Sequence, residues 1–184
     1  VSSPRILIAC IGNIFLGDDA FGVEVARNLL QLSWPPSVHV EDFGIRGVDL
    51  AYSLLDNYDV AIFVDAAQRG YAPGTLFVIE PDLSEFSSDG PESKPSMDAH
   101  TMDPAQVLRS AVSMGAKLPR VLVVGCEPMP LPPDDQMQME LSPPVRDAVS
   151  GVVPLIRELV DRLLVDQPNQ TTEALEEMSS WLPK

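Results

Sequence analysis

Apolar positions along this chain fall into short runs that alternate with helical stripes. The run RILIACI, Arg5 to Ile11, is apolar almost without a break and predicts a buried strand. Phe21, Val25 and Leu29 then recur at helical spacing, with Ala26 and Leu30 beside them, and predict a helix over about Asp19–Gln31. A second strand is expected at Ser37–Phe43, behind Pro35-Pro36. A helix opens near Gly47 and carries Val48, Ala51, Leu54 and Leu55. Val60–Asp65 is the third strand. A turn at Pro73-Gly74 leads to the fourth, Thr75–Glu80, which is expected to pair antiparallel to the third at one edge because the connection is so short.

The stretch from Pro81 to Pro95 is polar and rich in Ser, Asp, Glu and Pro, and reads as a mobile loop. Asp103-Pro104 then has the form of a helix start, with Asp103 as cap, Pro104 in the first turn and Gln106 at capping-box spacing. Gly115 ends that helix, and Arg120–Cys126 is the fifth strand. A Met- and Pro-rich loop, Glu127–Glu140, follows. Ser142-Pro143 opens a last helix that is expected to bend or break at Pro154. This order predicts a single α/β domain over residues 1–166, with a mainly parallel five-stranded sheet flanked by helices, and an acidic C-terminal tail over 167–184.

The length of 184 residues suits one domain with a substantial core. No apolar run nears the roughly 20 residues that span a bilayer, and no signal-peptide pattern opens the chain, so a cytoplasmic location is expected. The formal net charge is −15, which argues against nucleic acid or an anionic membrane as partner and for metal ions or a basic protein segment. Two cysteines, Cys10 and Cys126, form neither a disulfide framework nor a CxxC pair.

Three positions stand out as chemistry. Asp19 follows the first strand, Asp65 ends the third, and His100 precedes a helix in MDAHTMDP. In a parallel sheet both acids lie at the carboxyl edge, where open α/β sheets bind ligands. Gly17-Asp18-Asp19 is no phosphate loop, because two acids would repel a phosphate. Two carboxylates and an imidazole make a mixed oxygen and nitrogen site for a divalent transition metal with positions left open. The competing readings are plain: helix N-terminal acids for Asp18 and Asp19, a cap for Asp65, a surface loop residue for His100. His39 reads as structural. Cys126 paired with His100 as a nucleophile is conceivable, but a buried thiol fits its strand-end position better.

The blocks GNIFLGDDAFG, EDFGIRG, VDAAQRGYAPGT, DAHTMDPAQVL, VVGCEP and ELSPPV, in this order over about residues 5–160, resemble those of the hydrogenase maturation proteases. The resemblance implies a phosphorylase/hydrolase-like α/β core. It implies an endopeptidase that removes the C-terminal extension of a nickel–iron hydrogenase large-subunit precursor after nickel insertion, with nickel carried by the precursor. It places Asp19, Asp65 and His100 as metal-contacting and catalytic residues, and Asp18, Asp42 and Gly44 near substrate. Two departures stand out: Asp19 where the family often has Glu, and Asp42-Phe43-Gly44-Ile45 where it commonly has D-G-G-T. The loop before His100 and the tail after Asp166 have no assigned counterpart.

The general base stays open among Asp18, Asp42 and a metal-bound hydroxide. An aspartic-type variant would need Asp19 and Asp65 close together with one pKa raised. A non-catalytic nickel-sensing maturation chaperone is the alternative from another class. A nucleoside-phosphorylase-like enzyme lacks the basic phosphate site it would need. Nothing in the pattern demands more than a monomer.

Overall fold

The computed structural model describes residues 3–86, 103–130 and 139–165. His100, the tail over 167–184, most of the Pro81–Pro95 stretch and the middle of the Met- and Pro-rich loop lie outside the described residues.

Five strands, β1 (Ile6–Ile11), β2 (Val38–Gly44), β3 (Val60–Ala66), β4 (Leu76–Ile79) and β5 (Arg120–Cys126), form one sheet in the order β2-β1-β3-β5-β4. β1, β2, β3 and β5 run parallel and β4 is antiparallel. β4 differs from expectation in its partner: it pairs with β5, with Val78 opposite Val124, rather than with β3. The connection from Ala67 to Thr75 reaches over the end of β5. There the Glu127 N–H donates to the Thr75 carbonyl (2.9 Å), and the Gly74 N–H donates to the Glu127 carbonyl (2.8 Å). β5 therefore takes the place beside β3, in parallel register from Val60 opposite Arg120 to Ala66 opposite Cys126.

Helices α1 (Phe21–Leu29), α2 (Gly47–Ser53), α3 (Pro104–Ser113) and α4 (Pro143–Val165) cover the sheet. Alternate residues of each strand face opposite sides, so there are two cores. Ile6, Ile8 and Cys10 of β1 pack with α1 and α4, while Leu7, Ala9 and Ile11 pack with α2 and α3. Strands buried on both faces are apolar throughout, which is why β1 reads as an unbroken run. α3 begins as its sequence suggests, with the Asp103 carboxylate accepting the Ala105 N–H at 2.9 Å.

α4 does not break at Pro154; it runs as one helix of 23 residues. An interior proline costs a helix about 3 kcal/mol. Here Val145, Ala148, Val149, Val152, Ile156, Leu159, Val160 and Leu163 stay buried on both sides of it, and a single Leu- or Val-sized side chain contributes about 2 kcal/mol when buried. The stripe outweighs the proline.

α1 approaches the sheet through Gly22. A methyl group there would meet the Ile11 carbonyl oxygen at 2.0 Å and the Val64 carbonyl oxygen at 2.4 Å. The helix start thus rests on main chain at the carboxyl ends of β1 and β3. Among the described residues, no helix is long and apolar enough to cross a membrane.

Candidate active site

The strand order reverses direction at β1. The connection through α1 leads outward to β2, and the connection through α2 leads back across β1 to β3 on its other side. The cleft between the carboxyl ends of β1 and β3 is therefore the topological switch point, where α/β sheets bind ligands. Asp19 and Asp65 both lie there.

Asp19 does not begin α1. It sits in a 3-10 turn, Gly17–Ala20, that precedes the helix. The Asn13 N–H donates both to the Asp19 carbonyl oxygen (3.1 Å) and to its carboxylate (3.0 Å). Gly12 makes this approach possible: its φ is +152°, and a methyl group there would lie 2.1 Å from the Asp19 carbonyl oxygen. Asp65 comes directly off β3, one register position before Ala66, opposite Gly125 of β5.

Asp65 feels the charge of Asp19. Burial, first, and the charge of Asp19, second, raise the Asp65 pKa from 3.8 to about 8, against a hydrogen bond from the Ala66 N–H that lowers it. Asp19 is also raised, by burial, with the Asn13 N–H opposing. Among the described residues no Lys or Arg forms an ion pair with either acid. Partly buried, mutually repelling oxygen donors without a cationic partner fit a divalent cation. No three His, Cys, Asp or Glu side chains gather into such a group among the described residues; the third expected ligand, His100, lies outside them.

A cleft of about 370 Å³ opens beside Asn13. It is lined by Ile14 and Phe15, by Asp42–Arg46, and by Val23 and Arg27. Ile14, Phe15 and Ile45, all lining this cleft, are each 42–52% exposed, an unusual clustering of large apolar side chains around one mouth. Asp42 closes its own turn by accepting the Gly44 N–H (3.0 Å), and Gly44 has a φ of +53°. Arg46 folds back on the same turn. It donates to the carbonyl oxygens of Phe43 (3.2 Å) and Asp42 and to the Asp49 carboxylate (3.2 Å).

Asp18, expected near substrate, has both carboxylate oxygens engaged inside the fold, by the Met129 N–H (2.8 Å) and by the Ser142 N–H (2.6 Å) and hydroxyl (2.8 Å). Cys126 is fully buried, and burial, with Asp18 and Glu127 adding to it, pushes its thiol to about 12. Such a thiol is almost wholly protonated at neutral pH and is no nucleophile. Sequence reasoning missed Glu127. Its carboxylate is buried and accepts the N–H groups of Arg69 (2.7 Å) and Gly70 (3.1 Å). The one available signal was an acid directly after an apolar strand.

A family profile described as hydrogenase maturation protease matches residues 23–159. The hydrogenase expression/formation protein HupD of Rhizobium leguminosarum bv. viciae is 32% identical over 166 residues, covering 88% of this chain and 75% of that protein. The structure is similar to the hydrogenase 2 maturation peptidase of a Thaumarchaeota archaeon, with a TM-score of 0.63 and 31% identity over 85% of this chain and 98% of the other. It is also similar to the hydrogenase maturating endopeptidase HybD of E. coli, with a TM-score of 0.65 and 25% identity over 86% and 93%.

Proposed function

The chain belongs to the hydrogenase maturation protease family, and from that premise we propose that Asp19 and Asp65, joined by His100, meet the nickel carried by a hydrogenase large-subunit precursor. The protein is an endopeptidase, and its activity is C-terminal processing of a hydrogenase large subunit. A chaperone that senses nickel without cutting is not favoured, since the solved relatives are peptidases.

The observation that carries the proposal is the coupling of Asp19 and Asp65 at the switch point, each raised by burial and Asp65 further by its neighbour. Two such acids gain by sharing a cation. When present, the nickel would supply positive charge that neutralises the pair and polarises the scissile carbonyl. The chain's own part is to hold Asp19 by the Asn13 N–H and to keep the Asp65 proton until a cation displaces it. The substrate chain lies along the cleft from Asn13 toward Ile45, with Asp42 and Gly44 shaping its far wall.

The raised Asp65 also supports a second reading, in which one protonated and one ionised carboxyl share a water in the aspartic manner. Mass spectrometry of the precursor, with and without nickel, separates the two. Loss of the extension from nickel-loaded precursor alone, abolished by Asp19→Ala, Asp65→Ala or His100→Ala, is the expected result. Equal cleavage without nickel favours the aspartic reading, and no cleavage of either form sinks both.

A further inference from the structure

Among the described residues, Asp18 and Glu127 are the least exposed charged residues, at 8% and 5%. Neither forms an ion pair there. A buried carboxylate is costly unless hydrogen bonds satisfy it, and here every donor to it is neutral. Asp18 takes the main-chain N–H groups of Met129 and Ser142 and the Ser142 hydroxyl. Glu127 takes those of Arg69 and Gly70.

The two groups bind the loops that frame the site. Asp18 draws together the two ends of the β5–α4 connection, 111 and 124 positions away in sequence, and is the immediate neighbour of Asp19. Glu127 follows Cys126, the register partner of Ala66, and so holds the β3–β4 connection where it leaves Asp65. A carboxylate has two oxygens and about four acceptor sites, so one side chain can tie two segments at once. A Lys–Asp or Arg–Glu pair would also tie them. It would, however, bring a cation to a rim whose task, on the reading above, is to receive one.

We propose that Asp18 and Glu127 are positioning residues, which fix the places of Asp19 and Asp65 by pinning both framing loops through neutral donors. This rests on the assignment of Asp19 and Asp65 to the reaction. An amide in place of either carboxylate keeps the shape but turns one acceptor into a donor that faces a main-chain N–H.

The test is processing of nickel-loaded precursor by Asp18→Asn and Glu127→Gln, normalised to folded protein by circular dichroism. A kcat lower by at least about tenfold, with KM within about twofold of the parent, is expected, because displaced groups lose rate rather than binding. Ser142→Ala, which removes one donor without changing charge, should lose part of kcat, and Ser142→Thr should keep it. Should the amide variants fail to fold, the Ser142 pair decides. Unchanged kcat in the variants that fold, beside an inactive Asp19→Ala, overturns the proposal alone. An active Asp19→Ala together with an active Asp65→Ala removes the site assignment, and the proposal with it.

Discussion

Asp65 should make the metal-free protein less stable as pH rises. Its carboxyl holds a proton in the folded state up to about pH 8, whereas in the unfolded chain it releases it near 3.8. Between those values the native state binds the extra proton, so stability is greatest below the unfolded pKa and falls as pH climbs toward the folded one. Each pH unit in that window is worth about 1.4 kcal/mol, which amounts to about 4 kcal/mol by neutral pH. Other acids titrate over the same range, so the informative quantity is the difference between Asp65→Asn and the parent. The amide side chain of that variant has no proton to lose, and its advantage should grow by about 4 kcal/mol between about pH 4 and pH 7. Asp19→Asn removes both the charge that raises Asp65 and Asp19's own raised carboxyl, so it too should flatten the parent's slope, while burial still holds Asp65 up. Urea unfolding of chelator-treated protein at a series of pH values measures this directly. A difference that stays flat, within about 1 kcal/mol across the window, would refute the buried, coupled site.

Other outcomes follow from single contacts. Cys126→Ser should retain most processing, since the thiol is buried and protonated; a folded but inactive protein would instead make it the nucleophile. Gly12→Ala should abolish processing and lower the melting temperature, because its methyl group meets the Asp19 carbonyl oxygen at 2.1 Å; near-normal turnover would show that the Asn13–Asp19 contact is dispensable. Ile45→Asp should raise KM for the precursor by about tenfold and leave kcat and stability near the parent, as a charge would enter an apolar cleft wall; KM unchanged would place the substrate elsewhere. Adding nickel to the free protein near neutral pH should release protons measurable by calorimetry in two buffers, and Asp65→Asn should lose that release.

The parts legible in the sequence are those governed by local rules. β5 at Arg120–Cys126 is where its apolar run lies, and Asp103 caps α3 as its spacing indicates. Asp19 and Asp65 could be named because strand ends at the carboxyl edge follow from strand order alone. The illegible parts depend on distant main chain. Nothing in a run of residues says that Asp18 will find Ser142, or that Glu127 will find the N–H groups of Arg69 and Gly70, since peptide N–H groups carry no signature. The partner of β4 is illegible for a related reason. A short turn favours pairing with the preceding strand, but β5, arriving later, takes that place and pushes β4 to the edge.

Gly22 acts as a gauge block. The turn that carries Asp19 leads directly into a helix whose first residues stand on the carbonyl groups of Ile11 and Val64, with no side chain between. The height of the helix start over β1 and β3 is therefore set by peptide planes, whose dimensions no substitution changes. Leucine can drift to isoleucine, or valine to alanine, in either core, and helices will shift on the sheet to suit. Where Gly22 meets the main chain of β1 and β3, the helix start has no such slack. One added methyl group at Gly22 would lift the helix start off that main chain, which concentrates in a single hydrogen atom a tolerance that the rest of the scaffold is free to spend.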